Sequence, residues 1–191
     1  MSDLNLNWVP GFGTIYTWIA MDKNRKIAVL VNNGFGDLPK ILLEVNNIET
    51  YLDYLSEFLW EESDKYTNYP INKHGSFSID FFSKWRNKNS SKELLKKNLE
   101  YDFKENGNYS EVNLCANKGL FVYHAVEGNN EGDDYPVGYD GKTVMGDYFS
   151  YLIPTVYGSI NDFPEELRKY IAVSDTLDFR VDKILKNDEI N

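Results

Sequence analysis

The sequence predicts an α+β fold: an antiparallel sheet built from hairpins, with helices packed on one side. Three observations carry this. Strand-like runs come in pairs around polar turns, amphipathic helical stretches lie between the pairs, and the two do not alternate in the βαβ rhythm of a parallel sheet. With 191 residues and 15% aromatic side chains, the chain is long enough and apolar enough for one domain over 1–191 with a full core. No internal repeat, low-complexity tract or linker divides it.

The first pair is a hairpin over residues 14–31, in which β-branched and aromatic residues flank the polar turn Asp22, Lys23, Asn24, Arg25 and Lys26. Ile15, Thr17 and Ile19 alternate with Tyr16, Trp18 and Ala20, so both faces are apolar and one of these strands belongs in the middle of a sheet. The loop Asn32, Asn33, Gly34, Phe35, Gly36 and Asp37 closes the pair, its glycines permitting positive φ. The full phosphate-binding fingerprints, GxxxxGK[ST] and GxGxxG, are absent.

Residues 46–64 form the most regular helical stretch. Ile48, Leu52, Leu55 and Leu59 fall on one narrow face that must pack on a core, and Asn46 with Glu49 has the spacing of a capping pair. On the opposite face Glu49, Asp53, Glu57 and Glu61 step four residues at a time, with no Lys or Arg between Lys40 and Lys65. Like charges at that spacing repel by roughly 0.2–0.5 kcal/mol per pair, and acids crowd the helix end where the dipole disfavours them. Trp60 projects beside the stripe, with Tyr51, Tyr54 and Phe58 on the other flank. Two readings stand: a solvated face of an acidic protein, or a surface that awaits a cationic partner.

Residues 75–82, GSFSIDFF, suit either a short strand or the start of a helix. The basic run Lys84, Arg86, Lys88, Lys92, Lys96 and Lys97 follows, with a helix expected from Lys92 to about Lys104, capped by Ser90 and Glu93, with Leu95 and Leu99 inward. Residues 109–128 read as a second hairpin around Asn117, Lys118 and Gly119, in which His124 sits among aliphatics and Cys115 is a buried small hydrophobe. Residues 127–147 form a glycine-rich acidic loop holding Glu127, Glu131, Asp133, Asp134, Asp140 and Asp147 against the single cation Lys142, with Tyr135 and Tyr139 as good contact residues. Its acids lack the EF-hand order. A strand at 148–153 ending at Pro154 and a short helix after Asn161 follow, and 175–186 satisfies both the helical and the strand period.

Net charge −10 and a pI near 4.7 argue against direct nucleic-acid binding and favour basic macromolecules as partners. The first residues show no signal-peptide pattern and no long apolar run follows, so a cytoplasmic protein without membrane partner is expected. A lone cysteine fits that compartment. No GxSxG, HExxH or CxxC motif occurs, and neither His74 nor His124 has a carboxylate at helical spacing, so no catalytic residue, metal ligand or cofactor is assigned. A small hydrolase or carbohydrate-active protein using Asp/Glu and aromatic residues of 127–147 stays as the alternative.

The segment over residues 18–39, WIAMDKNRKIAVLVNNGFGDLP, resembles the opening of bacterial immunity-protein families from polymorphic-toxin and contact-dependent growth-inhibition systems. They share an aromatic residue, a D-x-x-G/K turn, an apolar strand and a G-x-G…P loop, although Arg25 stands here where a turn glycine is common. The resemblance implies a small acidic α+β protein that neutralises a cognate toxin domain, frequently a nuclease. A nuclease presents cations around its site, so its inhibitor gains from complementary carboxylates. The expected partner-binding residues are therefore Asp53, Glu57, Trp60 and Glu61, helped by Asp133, Asp134 and Tyr135.

Overall fold

The computed structural model describes residues 4–128 and 133–190. Its strands are β1 (Thr17–Met21), β2 (Ile27–Val31), β3 (Phe77–Ile79), β4 (Phe82–Ser83), β5 (Phe121–Ala125), β6 (Pro136–Val137), β7 (Tyr148–Pro154), β8 (Ala172–Val173) and β9 (Ile184–Leu185). Seven form one sheet in the order β3-β7-β5-β2-β1-β8, with β9 on the remaining stretch of β7, while β4 and β6 pair separately. The helices are α1 (Lys40–Leu43), α2 (Ile48–Leu59), α3 (Lys92–Asn106), α4 (Glu111–Ala116) and α5 (Glu165–Arg168). The class is α+β, as the sequence predicts.

The sheet is mixed rather than purely antiparallel. The β1–β2 hairpin forms, with Asp22 accepting from the backbone N–H groups of Asn24 and Lys26 to close its turn. However, β2 pairs with β5 in parallel, and β1 with β8 likewise. The chain leaves β2 and passes through α1 to α4 before returning as β5, and a crossover of that length permits the parallel approach that a tight turn forbids. β5 thereby lies between β2 and β7, the interior position its two apolar faces require.

The second expected hairpin is absent because residues 111–116 form α4. Val112 to Ala116 are all buried, the polar Asn113 included, so no exposed polar face marks a period, and a short, mostly apolar run reads equally as strand or helix. Residues 77–79 resolve as an edge strand. Residues 175–183 settle as turns, leaving only Ile184 and Leu185 paired. α3 begins at Lys92 as expected, but its cap is Ser91 rather than Ser90, the Ser91 hydroxyl accepting from the Leu94 N–H.

Adjacent residues of β5 show how the sheet is covered. The Tyr123 hydroxyl donates to the Asp182 carbonyl at 2.7 Å, and its ring packs on Phe179. The next residue, His124, meets Glu111 of α4. Successive strand residues point to opposite faces, so α4 covers one face and the turns around 178–182 the other. In the 32–37 loop Gly34 has the expected positive φ of 80°, but Gly36 serves another purpose. A Cβ there would come within 2.5 Å of the Tyr148 ring, whose hydroxyl accepts from Trp18 and donates to the Asp37 carbonyl.

His124 is buried, and its Nε2 lies 3.3 Å from a Glu111 carboxylate oxygen without the angles of a hydrogen bond. Burial works to raise the Glu111 carboxyl, but the facing His124 and the Arg86 guanidinium outweigh it and hold the group below its ordinary range. A group whose folded value is lowered stabilises the fold above its unfolded pKa of about 4.3 and loses that contribution as pH falls through the folded value. Glu111→Gln is therefore expected to melt below wild type at pH 7, with the gap closing on acidification below about pH 4.3. Melting curves across pH check the sign.

Candidate protein-binding surface

α2 is the amphipathic helix the pattern demands. Ile48, Leu52, Leu55, Phe58 and Leu59 are buried, and the helix packs on β1. Its start differs from the expected capping pair: Asn47, at a left-handed φ of 58°, is the N-cap and makes no side-chain cap bond. Glu49 turns outward and accepts from the Tyr16 hydroxyl at 3.3 Å. The helix stops with the Glu61 N–H donating to the Phe58 carbonyl and the Glu62 N–H to the Glu57 carbonyl. That is a Schellman stop, with Glu61 at φ 59° in the left-handed position glycine normally takes.

Glu61 is thus not a member of an unpaired stripe. Its carboxylate accepts from the buried Lys118 ammonium at 2.6 Å and from the Asn108 amide. The countercharge missing from the local sequence comes from 57 positions away. Trp60, expected to project beside the stripe, is half-buried and packs against the core.

Asp53 and Glu57 remain, and both are exposed with no cation within ion-pairing distance among the described residues. Partial desolvation on the helix, together with the Glu49 carboxylate one turn earlier, holds the Asp53 carboxyl above its ordinary range. Its charged form is therefore disfavoured by folding.

The second half of the expected surface is fastened to elements other than α2. Asp134 is 1% exposed and accepts from the Ser83 hydroxyl, the Trp85 N–H and the Glu127 N–H. A carboxylate consumed by three internal donors cannot meet a partner, so this assignment is corrected: Asp134 fastens the acidic loop to the segment after β4. Asp133 and Tyr135 are exposed, but the Tyr135 carbonyl accepts from Lys84, and neither this nor any Asp134 bond reaches α2. Glu131 lies outside the described residues. Asp147, another acid of this loop, is buried and takes bonds from Lys186 and the Asn187 N–H. Asp134 and Asp147, which the hydrolase alternative would draw on, are thus both spent on structure.

A neighbouring feature was missed from the sequence. Residues 11–14 make a tight turn in which the Thr14 N–H and hydroxyl both bond to the Gly11 carbonyl, and Gly13 takes a φ of 91°. Positive φ at the third position is the geometry of a type II turn. Phe12, at its second position, is 94% exposed, with Val9 and Ile15 also largely open. The signal was available: an aromatic residue between two glycines after Pro10 is turn chemistry with an apolar side chain where a polar one is usual.

Among the described residues no group of His, Cys, Asp and Glu is placed to hold a metal ion, and no helix is long and apolar enough to cross a membrane. Cys115 is fully buried, and burial pushes its thiol up. No family model, curated protein or solved structure matches this chain.

Proposed function

We infer that the protein is an immunity-type inhibitor that binds a basic, nuclease-type toxin domain through the exposed acidic face of α2. One observation carries the reading: Asp53 and Glu57 stand exposed without countercharge, and partial burial together with Glu49 raises the Asp53 carboxyl above its ordinary range. A helix selected for stability alone would interleave lysines at these positions. A carboxylate row kept at a cost to the fold gains its use when cations of a partner approach, through steered association and rejection of acidic competitors. The likeness of residues 18–39 to immunity proteins supports the same conclusion.

The test is co-expression with the reading frame directly upstream, scoring complex formation and relief of toxicity. Asp53→Lys with Glu57→Lys is expected to weaken binding by about two orders of magnitude, mostly through slower association, without lowering the melting temperature. A complex of unchanged affinity at low salt would remove α2 from the interface.

A further inference from the structure

Building on that reading, we propose that Phe12, carried on its rigid turn, is the apolar anchor of the same interface. Its natural receptor is then a basic protein domain that offers an apolar pocket beside its cations. Three observations converge.

The first is exposure without structural return. Phe12 shows 94% of its surface, Val9 76% and Ile15 65%, so three large apolar side chains within seven residues contribute almost nothing to the core. The second is pre-organisation. The turn is closed by two bonds to the Gly11 carbonyl and sits on the 32–37 loop, where a Cβ on Gly34 would lie 3.3 Å from the Gly11 carbonyl oxygen and 3.8 Å from the Phe12 Cα. An aromatic residue held on a fixed backbone loses little conformational freedom on binding, which is what a hot-spot residue requires.

The third observation is position. Tyr16 follows Phe12 by four residues, about 14 Å at full extension, and its hydroxyl bonds to Glu49, the first acid of the α2 stripe. Trp8 packs edge-on against the Tyr16 ring at 5.8 Å, completing a bridge between turn and helix. Glu49 to Glu57 adds about 12 Å of helix. An interface of ordinary size, about 800 Å² per partner, is about 32 Å across, the scale of this path from the turn through Tyr16 to the carboxylates. An exposed aromatic residue joined in this way to an acidic helix suits a partner that offers an apolar pocket beside cations, and the acidic charge selects a cationic protein over a second acidic copy of this chain.

The experiment measures binding kinetics between the purified chain and the protein encoded directly upstream, for wild type, Phe12→Ala and the Asp53→Lys/Glu57→Lys pair. Phe12→Ala is expected to keep its melting temperature and lose at least about thirty-fold in affinity, through faster dissociation and by the same factor at low and high salt. The charge pair instead loses association rate, and the loss shrinks as salt rises. If Phe12→Ala binds within twofold of wild type while the charge pair is impaired, the anchor is overturned and the acidic interface stands. If Phe12→Ala is impaired and the charge pair is not, the acidic face of α2 is excluded and the anchor stands. A wild-type chain that binds no upstream-encoded protein overturns both.

Discussion

Glu61→Ala is expected to destabilise the protein by about 3–5 kcal/mol at neutral pH, the range for stranding one partner of a buried ion pair. Lys118 is 3% exposed, its ammonium 2.6 Å from Glu61 and 5.9 Å from the centre of the Tyr69 ring. Without the carboxylate, that ammonium must find water or pull its segment open. The backbone supplies a second handle. Glu61 occupies a left-handed position at φ 59°, which costs a residue with a Cβ about 1–2 kcal/mol relative to glycine. Alanine keeps that strain, so Glu61→Gly should be less damaging than Glu61→Ala by about that difference. Lys118→Met removes the buried charge itself, and the pair Glu61→Gly with Lys118→Met should recover most of the loss. Urea midpoints for the three variants and the pair complete the cycle. An Glu61→Ala protein within 1 kcal/mol of wild type would show that Lys118 needs no countercharge.

The same pair marks where sequence reading succeeds and where it stops. The α2 face was legible because Ile48, Leu52, Leu55 and Leu59 repeat at helical spacing, and β7 because its run ends at a proline. Local periodicity carries such elements. It says nothing of a lysine that arrives from 57 positions away, so an acid that looks unpaired in sequence is paired in the fold. Asp134 failed as a surface residue for the same reason, its donors Ser83 and Trp85 being some fifty positions earlier. α4 failed differently: with every residue from Val112 to Ala116 buried, even the polar Asn113, there is no exposed face to distinguish strand from helix. The parallel β2–β5 pairing was illegible because register across a long crossover is fixed by packing, not by any turn signal. Of the expected site, Asp53 and Glu57 keep the exposure the stripe required, while the apolar turn at 11–14 was legible as turn chemistry in Pro10, Gly11 and Gly13, but the exposure of Phe12 on it was not.

Gly119→Ala should be as damaging as the loss of Glu61, at about 3–5 kcal/mol, because three effects coincide at the junction of α4 and β5. Gly119 has a φ of 68°, where any Cβ is strained. That Cβ would stand 2.3 Å from the Val156 carbonyl oxygen and 2.6 Å from the Gly158 nitrogen, both backbone atoms that cannot swing aside. The Gly119 carbonyl also accepts from the buried Gly158 N–H at 2.7 Å, so moving the two segments apart leaves a buried donor unsatisfied. The chain reverses here directly after Lys118, and the displacement would drag the ammonium from Glu61. The two losses should therefore couple: in Gly119→Ala, the further cost of Glu61→Ala should fall well below its value in wild type. Full additivity of the two substitutions in chemical denaturation would mean that the turn and the ion pair hold independently, and that the Glu61–Lys118 contact is not positioned by the turn.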